Sequence, residues 1–165
     1  MNGLMYQTIM QQTSTIRTAN PDDFERIFAL ENLCFPKEHA YTRRQLRYLV
    51  TKANSTVLVE TAGSLIRGFI IILYRRGTTV AGIETINVDP AFQKKGIGQR
   101  LLSASEEYLR KRKICKIRLE VSITNQSAIS LYEHLGFRKI TLLKQYYHFS
   151  HKGSRDAYRM VKELQ

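Results

Sequence analysis

The chain reads as a single α/β domain built on a mixed central sheet of about seven strands with four helices. The elements run in the order β-α-α-β-β-β-α-β-α-β-β. Three observations predict this. Short β-rich runs such as Ile66 to Tyr74 are too brief for a buried helix and are bounded by turn residues. Between them lie segments with helical apolar spacing and recognisable caps. The 165 residues contain no repeat, low-complexity tract or linker, and they suit one domain of ordinary size.

Ser14 to Thr18 forms the first strand. Asn20-Pro21-Asp22-Asp23 opens a helix: an N-cap, a proline in the first turn, and acids at the positive end of the helix dipole. Phe24, Ile27, Phe28 and Leu30 give that helix its apolar side, and Phe35-Pro36 breaks it. Thr42-Arg43-Arg44-Gln45 is a capping box for a second helix with Leu46, Leu49 and Val50 inward. Strands follow over Thr56 to Val59, Ile66 to Tyr74 and Ile83 to Val88, the last ended by Asp89-Pro90. The third helix spans Ile97 to Arg112, with Ile97, Leu101, Ala104, Tyr108 and Leu109 on one face. Lys116 to Ser122 alternates as a strand. A short helix from Gln126 closes at Gly136, a left-handed cap. Strands near Arg138 to Tyr147 and Asp156 to Val161 complete the order.

Residues 1–13 form a polar, Gln/Thr-rich lead-in, and 14–165 form the domain. The amino end has neither a basic region nor a continuous apolar region of the kind secretory signals carry. No apolar run approaches the ~20 residues of a membrane span. A cytoplasmic protein is the expectation. Cys34 and Cys115 are far apart, match no metal or redox spacing, and read as reduced thiols; no metal site is expected.

With 26 Lys and Arg against 14 Asp and Glu, the formal charge is +12. The excess gathers at Arg43-Arg44-Arg47, Lys94-Lys95-Arg100, Arg110 to Lys113 and Arg138-Lys139. Such clusters suit polyanions, including phosphorylated cofactors, nucleic acid or a ribosome surface. They equally suit solvated faces and helix C-termini, so charge by itself does not choose.

The sharpest local feature is Gln93-Lys94-Lys95-Gly96-Ile97-Gly98, set between a strand and a helix. Glycines let main-chain N–H groups converge, and the helix adds its positive end, a combination that binds pyrophosphate. Lys94 and Lys95 add charge, and Arg100 is placed to reach a further phosphate. The P-loop pattern is absent, as are the third glycine and downstream acid of a dinucleotide fingerprint.

This stretch resembles the Q/R-x-x-G-x-G/A acetyl-CoA loop of the GNAT acetyltransferases. The resemblance continues through LEVSITNQSAISLYEHLGF (Leu119 to Phe137), Tyr146-Tyr147 and Asp156-Ala157-Tyr158-x-Met160, and is similar to the amino-terminal acetyltransferases of the RimI and Ard1 type. It covers roughly residues 15 to 162 and is densest from 83 to 147. The resemblance implies an acetyl-CoA cosubstrate. Ile86, Asn87 and Val88 would offer backbone groups to the pantetheine arm, where this strand splays from its neighbour. Lys94, Lys95, Gly96, Ile97, Gly98 and Gln99 would wrap the pyrophosphate. Asn125 would contact the pantetheine, although a helix N-cap explains it as well.

Acetyl transfer to an amine needs a base for the ammonium and an acid for the departing thiolate. Glu120 and Tyr132 stand where the resemblance implies those roles. Glu120 lies between Leu119 and Val121 and so faces opposite to both, where partial desolvation would raise its pKa toward that of a useful base. It reads alternatively as an ion-pair partner of Arg118 or Lys116, and Tyr132 as an ordinary helix aromatic with its hydroxyl at the surface. Glu84 is a rival base, sharing a strand face with Ile86 and Val88. Tyr147 either holds the substrate backbone or packs in a strand.

The acceptor is expected to be the α-amino group of a protein or peptide N-terminus. Reference pKa values leave roughly one in seven α-amines neutral at pH 7, against roughly one in 2,500 lysines. Phe35, Pro36, Tyr146 and Tyr147 resemble the walls of the peptide slot in amino-terminal acetyltransferases. Arg155 departs from the acid usual before Asp156, and basic residues there would disfavour basic peptides. The alternatives are a small amine (amino acid, polyamine or antibiotic) and a non-catalytic basic binder that keeps the fold. Ribosome association is a further partner expectation, with either a monomer or a homodimer.

Overall fold

The computed structural model describes residues 13–165; the expected lead-in lies outside these residues except for Thr13. Seven strands and four helices occur in the expected order: β1 Ser14–Thr18, α1 Phe24–Cys34, α2 Arg43–Thr51, β2 Ser55–Ala62, β3 Leu65–Tyr74, β4 Val80–Val88, α3 Ile97–Lys111, β5 Lys116–Ser122, α4 Gln126–His134, β6 Arg138–Leu143 and β7 Ala157–Glu163. The strands form one mixed sheet in the order β1-β2-β3-β4-β5-β7-β6. β4 and β5 are parallel and pair over Val80–Gly82 with Lys116–Arg118, whereas β5 pairs antiparallel with β7 along its full length.

The described residues fall into two compact units, 13–71 with Thr85–Ala104, and Ile72–Glu84 with Ser105–Gln165. In the first, Ile27, Leu30, Leu46, Val59, Phe69 and Leu101 have no exposure. In the second, Leu109, Ile117, Ala157 and Met160 have none either. Each large apolar side chain sealed in this way stabilises the fold by roughly 1.5–3 kcal/mol.

Local chemistry sets the helix starts as expected. Asn20 accepts from the Asp22 N–H at 3.0 Å, while the Asp23 carboxylate accepts from the Asn20 N–H at 2.8 Å. A turn of 3₁₀ helix over Pro21–Asp23 precedes α1. Thr42 and Gln45 form the reciprocal capping box of α2, and Gly136 sits at φ 89° after α4.

Several details differ from the expectation, among them a β2 that runs on to Ala62 and a β7 that runs on to Glu163. The buried stripe of α3 includes Ser105 and Glu106, with Ala104 and Tyr108 only half-buried. Glu106 accepts from Lys162 at 2.6 Å and Arg110 at 3.3 Å, which explains how a carboxylate sits there. β6 stops at Leu143 rather than Tyr147, because Gln145 takes a left-handed φ of 52° and its N–H turns to the Asp156 carboxylate at 2.8 Å. β4 begins three residues earlier, at Val80.

Gly68 in β3 is a close-approach position that periodicity does not reveal. A Cβ there would lie 2.9 Å from the Asn87 carbonyl oxygen, 3.1 Å from Ile97 and 3.3 Å from Leu101. Backbone cannot yield as a flexible side chain can. Gly68→Ala is therefore expected to destabilise the protein by about 1–3 kcal/mol through overpacking, read as a lowered urea midpoint at unchanged m-value.

Candidate active site

In the first unit, β4 runs into Asp89, whose carboxylate accepts from the Ala91 N–H at 2.9 Å and from Arg26 at 2.6 Å. This fixes a short turn, Pro90–Phe92, and delivers the chain to Gln93. Lys94 then adopts φ 61° and Gly96 φ 75°, before α3 begins at Ile97. Two left-handed residues so close together bend the backbone into the concave shape that receives an anion. No acidic residue stands in the first turn of α3, so the positive end of a 15-residue helix is not offset there. Lys94, Lys95 and Gln99 are exposed around the turn. These features fit a pyrophosphate.

Arg100, expected near a further phosphate, is engaged within the protein: its Nη1 donates to the Lys95 carbonyl at 3.0 Å and its Nη2 to Glu60 at 3.1 Å, while the side chain keeps 41% exposure. The Asn87 side chain is also occupied: it donates to Glu31 at 2.6 Å and accepts from Thr85 at 2.8 Å. The Val88 carbonyl accepts from Gln93 at 3.2 Å and from the Cys34 thiol at 3.3 Å. Burial, then the Glu31 carboxylate, pushes that thiol up to about 11, as suits a structural cysteine. Ile86 is half-buried on β4. Phe35 caps the C-terminus of α1, and the Pro36 carbonyl accepts from His39 and Ala40 in the turn beyond it.

The second unit holds the acid and base candidates. Glu120 on β5 has a side chain 13% exposed, but its surroundings are not apolar. Arg159 of β7, its cross-strand partner, donates to Oε1 at 2.8 Å, and the Arg118 Nε lies 3.4 Å from the same oxygen. The ion-pair alternative thus holds for Arg118, while Lys116 pairs instead with Glu163. Sequence reasoning missed Arg159, although facing β5 and β7 residues made it findable once strand pairing was known. Glu84 is exposed on β4.

Tyr132 on α4 is buried at 7% exposure rather than presented at the surface, and its ring packs on Phe137 at 5.8 Å. Burial pushes its phenol up to about 12. Asn125 caps α4, its amide oxygen accepting from the Ala128 N–H at 3.2 Å. That leaves the amide NH₂ end for another partner.

The segment after β6 is an ordered arm. Lys152 and Gly153, both left-handed, close a tight turn in which His151 and Ser154 exchange backbone hydrogen bonds. Thr124 anchors it by donating to the His151 carbonyl at 3.0 Å. Arg155, the departure noted in the sequence, donates through Nε to the Tyr147 carbonyl at 2.7 Å. The arm sets Tyr146 and Tyr147 edge to face at 5.0 Å, with His151 at 4.4 Å from Tyr147. Burial raises the Tyr146 phenol, and the Glu120 and Glu84 carboxylates add to the effect. Burial chiefly raises Tyr147, followed by Tyr146, Glu120 and Tyr132. These four groups and Glu84 therefore share one local field. Among the described residues no cluster of His, Cys, Asp and Glu is arranged to hold a metal, and no helix is long and apolar enough to cross a membrane.

The acetyltransferase (GNAT) family matches residues 23–137, and the chain belongs to that family. Its relatives include the N-alpha-acetyltransferase of Saccharolobus solfataricus, 31% identical over 163 residues, covering 91% of this chain and 93% of the relative. An uncharacterized Mycobacterium leprae protein is 36% identical over 154 residues and 91% of this chain, which spans 41% of that protein's length. In structure, the ribosomal-protein-S18-alanine N-acetyltransferase of Escherichia coli superimposes with TM-score 0.84 at 25% identity, over 93% of this chain and 95% of that one.

The buried phenol has a consequence for alkaline pH. Tyr132 keeps its proton in the folded state above the ordinary phenol range, whereas the unfolded chain loses it near the reference value of about 10. Its contribution to stability is complete below pH ~10 and is lost as pH rises toward 12. The difference phenolate absorbance between the parent and Tyr132→Phe should appear near pH 12; a difference centred near ~10 would place the hydroxyl in water.

Proposed function

We propose that the protein transfers the acetyl group of acetyl-CoA to the α-amino group of a protein or peptide N-terminus. The observation that carries this reading is the convergence of Glu120, Tyr132, Tyr146 and Tyr147 in one unit, ordered by β5–β7 pairing and the arm that follows β6. Both contacts from Arg159 and Arg118 land on Oε1 of Glu120. Oε2 is then the oxygen that takes the ammonium proton, directly or through water. Tyr132, protonated throughout the working pH range, donates to the sulfur as charge builds on it. Tyr146 and Tyr147 flank the acceptor backbone.

When bound, acetyl-CoA supplies the acetyl group as a thioester. Its pyrophosphate would rest on Lys94, Lys95, Gly96, Ile97, Gly98 and Gln99. The main chain of Ile86, Asn87 and Val88 would align the pantetheine arm. The Val88 carbonyl is already occupied by Gln93 and Cys34, so the contribution of Val88 is its N–H. The relatives support the choice of acceptor by what they are called, N-alpha-acetyltransferase in one case and ribosomal-protein-alanine N-acetyltransferase in another. The chemistry agrees. A lysine acceptor would require the site to supply about 3.5 kcal/mol more toward deprotonation than an α-amine does. A cytoplasmic setting and access to ribosomal substrates belong to the same reading, in a monomer or homodimer.

The test is acetyl-CoA consumption with three acceptor sets: peptides with free N-termini, N-blocked peptides carrying lysine, and free small amines. Free N-termini should be the best substrates. Preference for small amines would reassign the acceptor, and salt-sensitive polyanion binding without turnover would mark a non-catalytic binder. Glu120→Gln should cut kcat by about 10²–10⁴-fold at little change in acetyl-CoA affinity, with Glu84→Gln costing less. The reverse ranking would move the base to β4.

A further inference from the structure

Beneath the phosphate-binding turn lies a buried ionic cluster that neither the transfer chemistry nor the family's loop pattern uses. At its centre is Glu60 of β2, with no solvent exposure. Arg67 of β3, itself 6% exposed, grips this carboxylate with both Nε, at 3.0 Å, and Nη2. Ser14 of β1 donates to the same group. The second cation is Arg100 in the first turns of α3, whose Nη2 reaches Glu60 at 3.1 Å.

Two paths lead from this cluster to the turn. Arg100 spans Glu60 and the Lys95 carbonyl, which its Nη1 holds at 3.0 Å. The same Nη1 lies 3.3 Å from where a Cβ of Gly96 would project, so the guanidinium packs directly under the left-handed glycine. Arg67 lies over the Phe92 ring at 5.6 Å, and the Lys95 ammonium approaches that ring at 5.4 Å. Carbonyl oxygens in a phosphate turn must point away from the anion, because they would repel it. Arg100 meets that need at Lys95 while Lys94 stands at φ 61°, a conformation costing a non-glycine residue ~1–2 kcal/mol.

We propose that Glu60 is a positioning residue for pyrophosphate recognition, acting through Arg100 and Arg67 to hold the Gln93–Gly96 turn in its anion-receiving shape. This rests on the reading of that turn as the acetyl-CoA cradle. Glu60 has no exposure, so its influence on the cofactor would run through Arg100 and Arg67. One carboxylate against two guanidiniums also leaves the cluster with one net positive charge beneath the phosphates. Buried ion pairs of this sort add little to stability when compared with apolar replacements of similar volume, which is consistent with a role in orientation.

The test uses the full chain and calorimetric affinities for CoA and 3′-dephospho-CoA, with KM and kcat measured alongside. Glu60→Gln keeps the shape but removes the charge that seats Arg100. It should weaken both ligands by the same factor, about 10-fold, the low end of what outer-shell partners contribute. KM for acetyl-CoA should rise in parallel while kcat at saturation changes by less than about twofold. Arg100→Lys keeps a cation but loses the fork that bridges Glu60 and Lys95, and should again weaken both ligands equally. It carries the test if Glu60→Gln does not fold. Unchanged affinity in either folded variant overturns the proposal. So does a loss confined to CoA over its 3′-dephospho form, which would make Arg100 a direct phosphate ligand. Gly96→Trp separates the premise: if that folded variant still binds CoA, the cradle itself is misassigned. If it alone abolishes binding, the cradle stands and only the positioning role falls.

Discussion

Glu60 is a carboxylate with no exposure, and a buried charge of that kind persists only where opposite charges and hydrogen bonds replace its water. Arg67, Arg100 and Ser14 provide that replacement, and in doing so they tie β1, β2, β3 and the first turns of α3 to one point. Burial alone would raise the Glu60 pKa. The hydrogen bonds from Arg67, Ser14 and Arg100 outweigh it and hold the carboxyl below its ordinary range. Sign and consequence agree: a depressed carboxylate stabilises the fold above its unfolded pKa, and that contribution fades as pH falls through the folded value. In the proposed role, the Gln93–Gly96 turn inherits its geometry from this arrangement through Arg100, which holds the Lys95 carbonyl. A left-handed lysine next to an exposed loop would otherwise relax toward the extended or helical backbone that most residues prefer.

The second unit uses the same device with a different outcome. Glu120 is also met by two guanidiniums, but its side chain keeps 13% exposure and its partners lie on the strands that carry it and face it. A carboxylate that keeps some exposure leaves room for the proposed base role, whereas a sealed one can only orient its neighbours. The arm after β6 provides the remaining order. Its tight turn at Lys152-Gly153, the Thr124 anchor and the Arg155 bond to the Tyr147 carbonyl hold two tyrosines beside the carboxylate without any regular secondary structure. Arg155 therefore acts as a clamp on its own backbone.

Elements whose signals are local were legible from the residues. Asn20, Thr42 and Gly136 each perform the capping chemistry expected of them, because a cap depends on atoms a few residues apart. The Gln93–Gly98 turn was legible for the same reason. Long-range pairing was not. Periodicity marked Glu120 as facing away from Leu119 and Val121, but it could not show that β7 lies alongside and brings Arg159 to the carboxylate. Glu31, Glu60 and Glu106 were invisible as interior residues, since each is buried with partners 4 to 56 positions distant, most of them on other elements. Gly68 was passed over because only the neighbouring β4 carbonyl and α3 side chains give its missing Cβ a meaning.

The surplus of positive charge follows the same logic. At +12 the chain invites a reading as a polyanion binder. Yet much of each basic cluster is answered within the protein. Arg43 pairs with Glu25 and covers the Phe28 ring, and Arg47 lies over Phe24. Arg110 and Lys111 reach back one helical turn to Glu106 and Glu107, while Arg112 lies against Tyr74 and Tyr108. Lys139 pairs with Glu133. These contacts account for the placement of the cations without any external ligand, and at the exposed positions each adds little to stability. The Lys94–Lys95 pair differs in kind. It sits on strained backbone, at a helix start with no acid in its first turn, above a cluster that is itself net positive. Charge becomes evidence for an anion where the backbone has been shaped to receive one, and in this chain that coincidence falls at the Gln93–Gly98 turn.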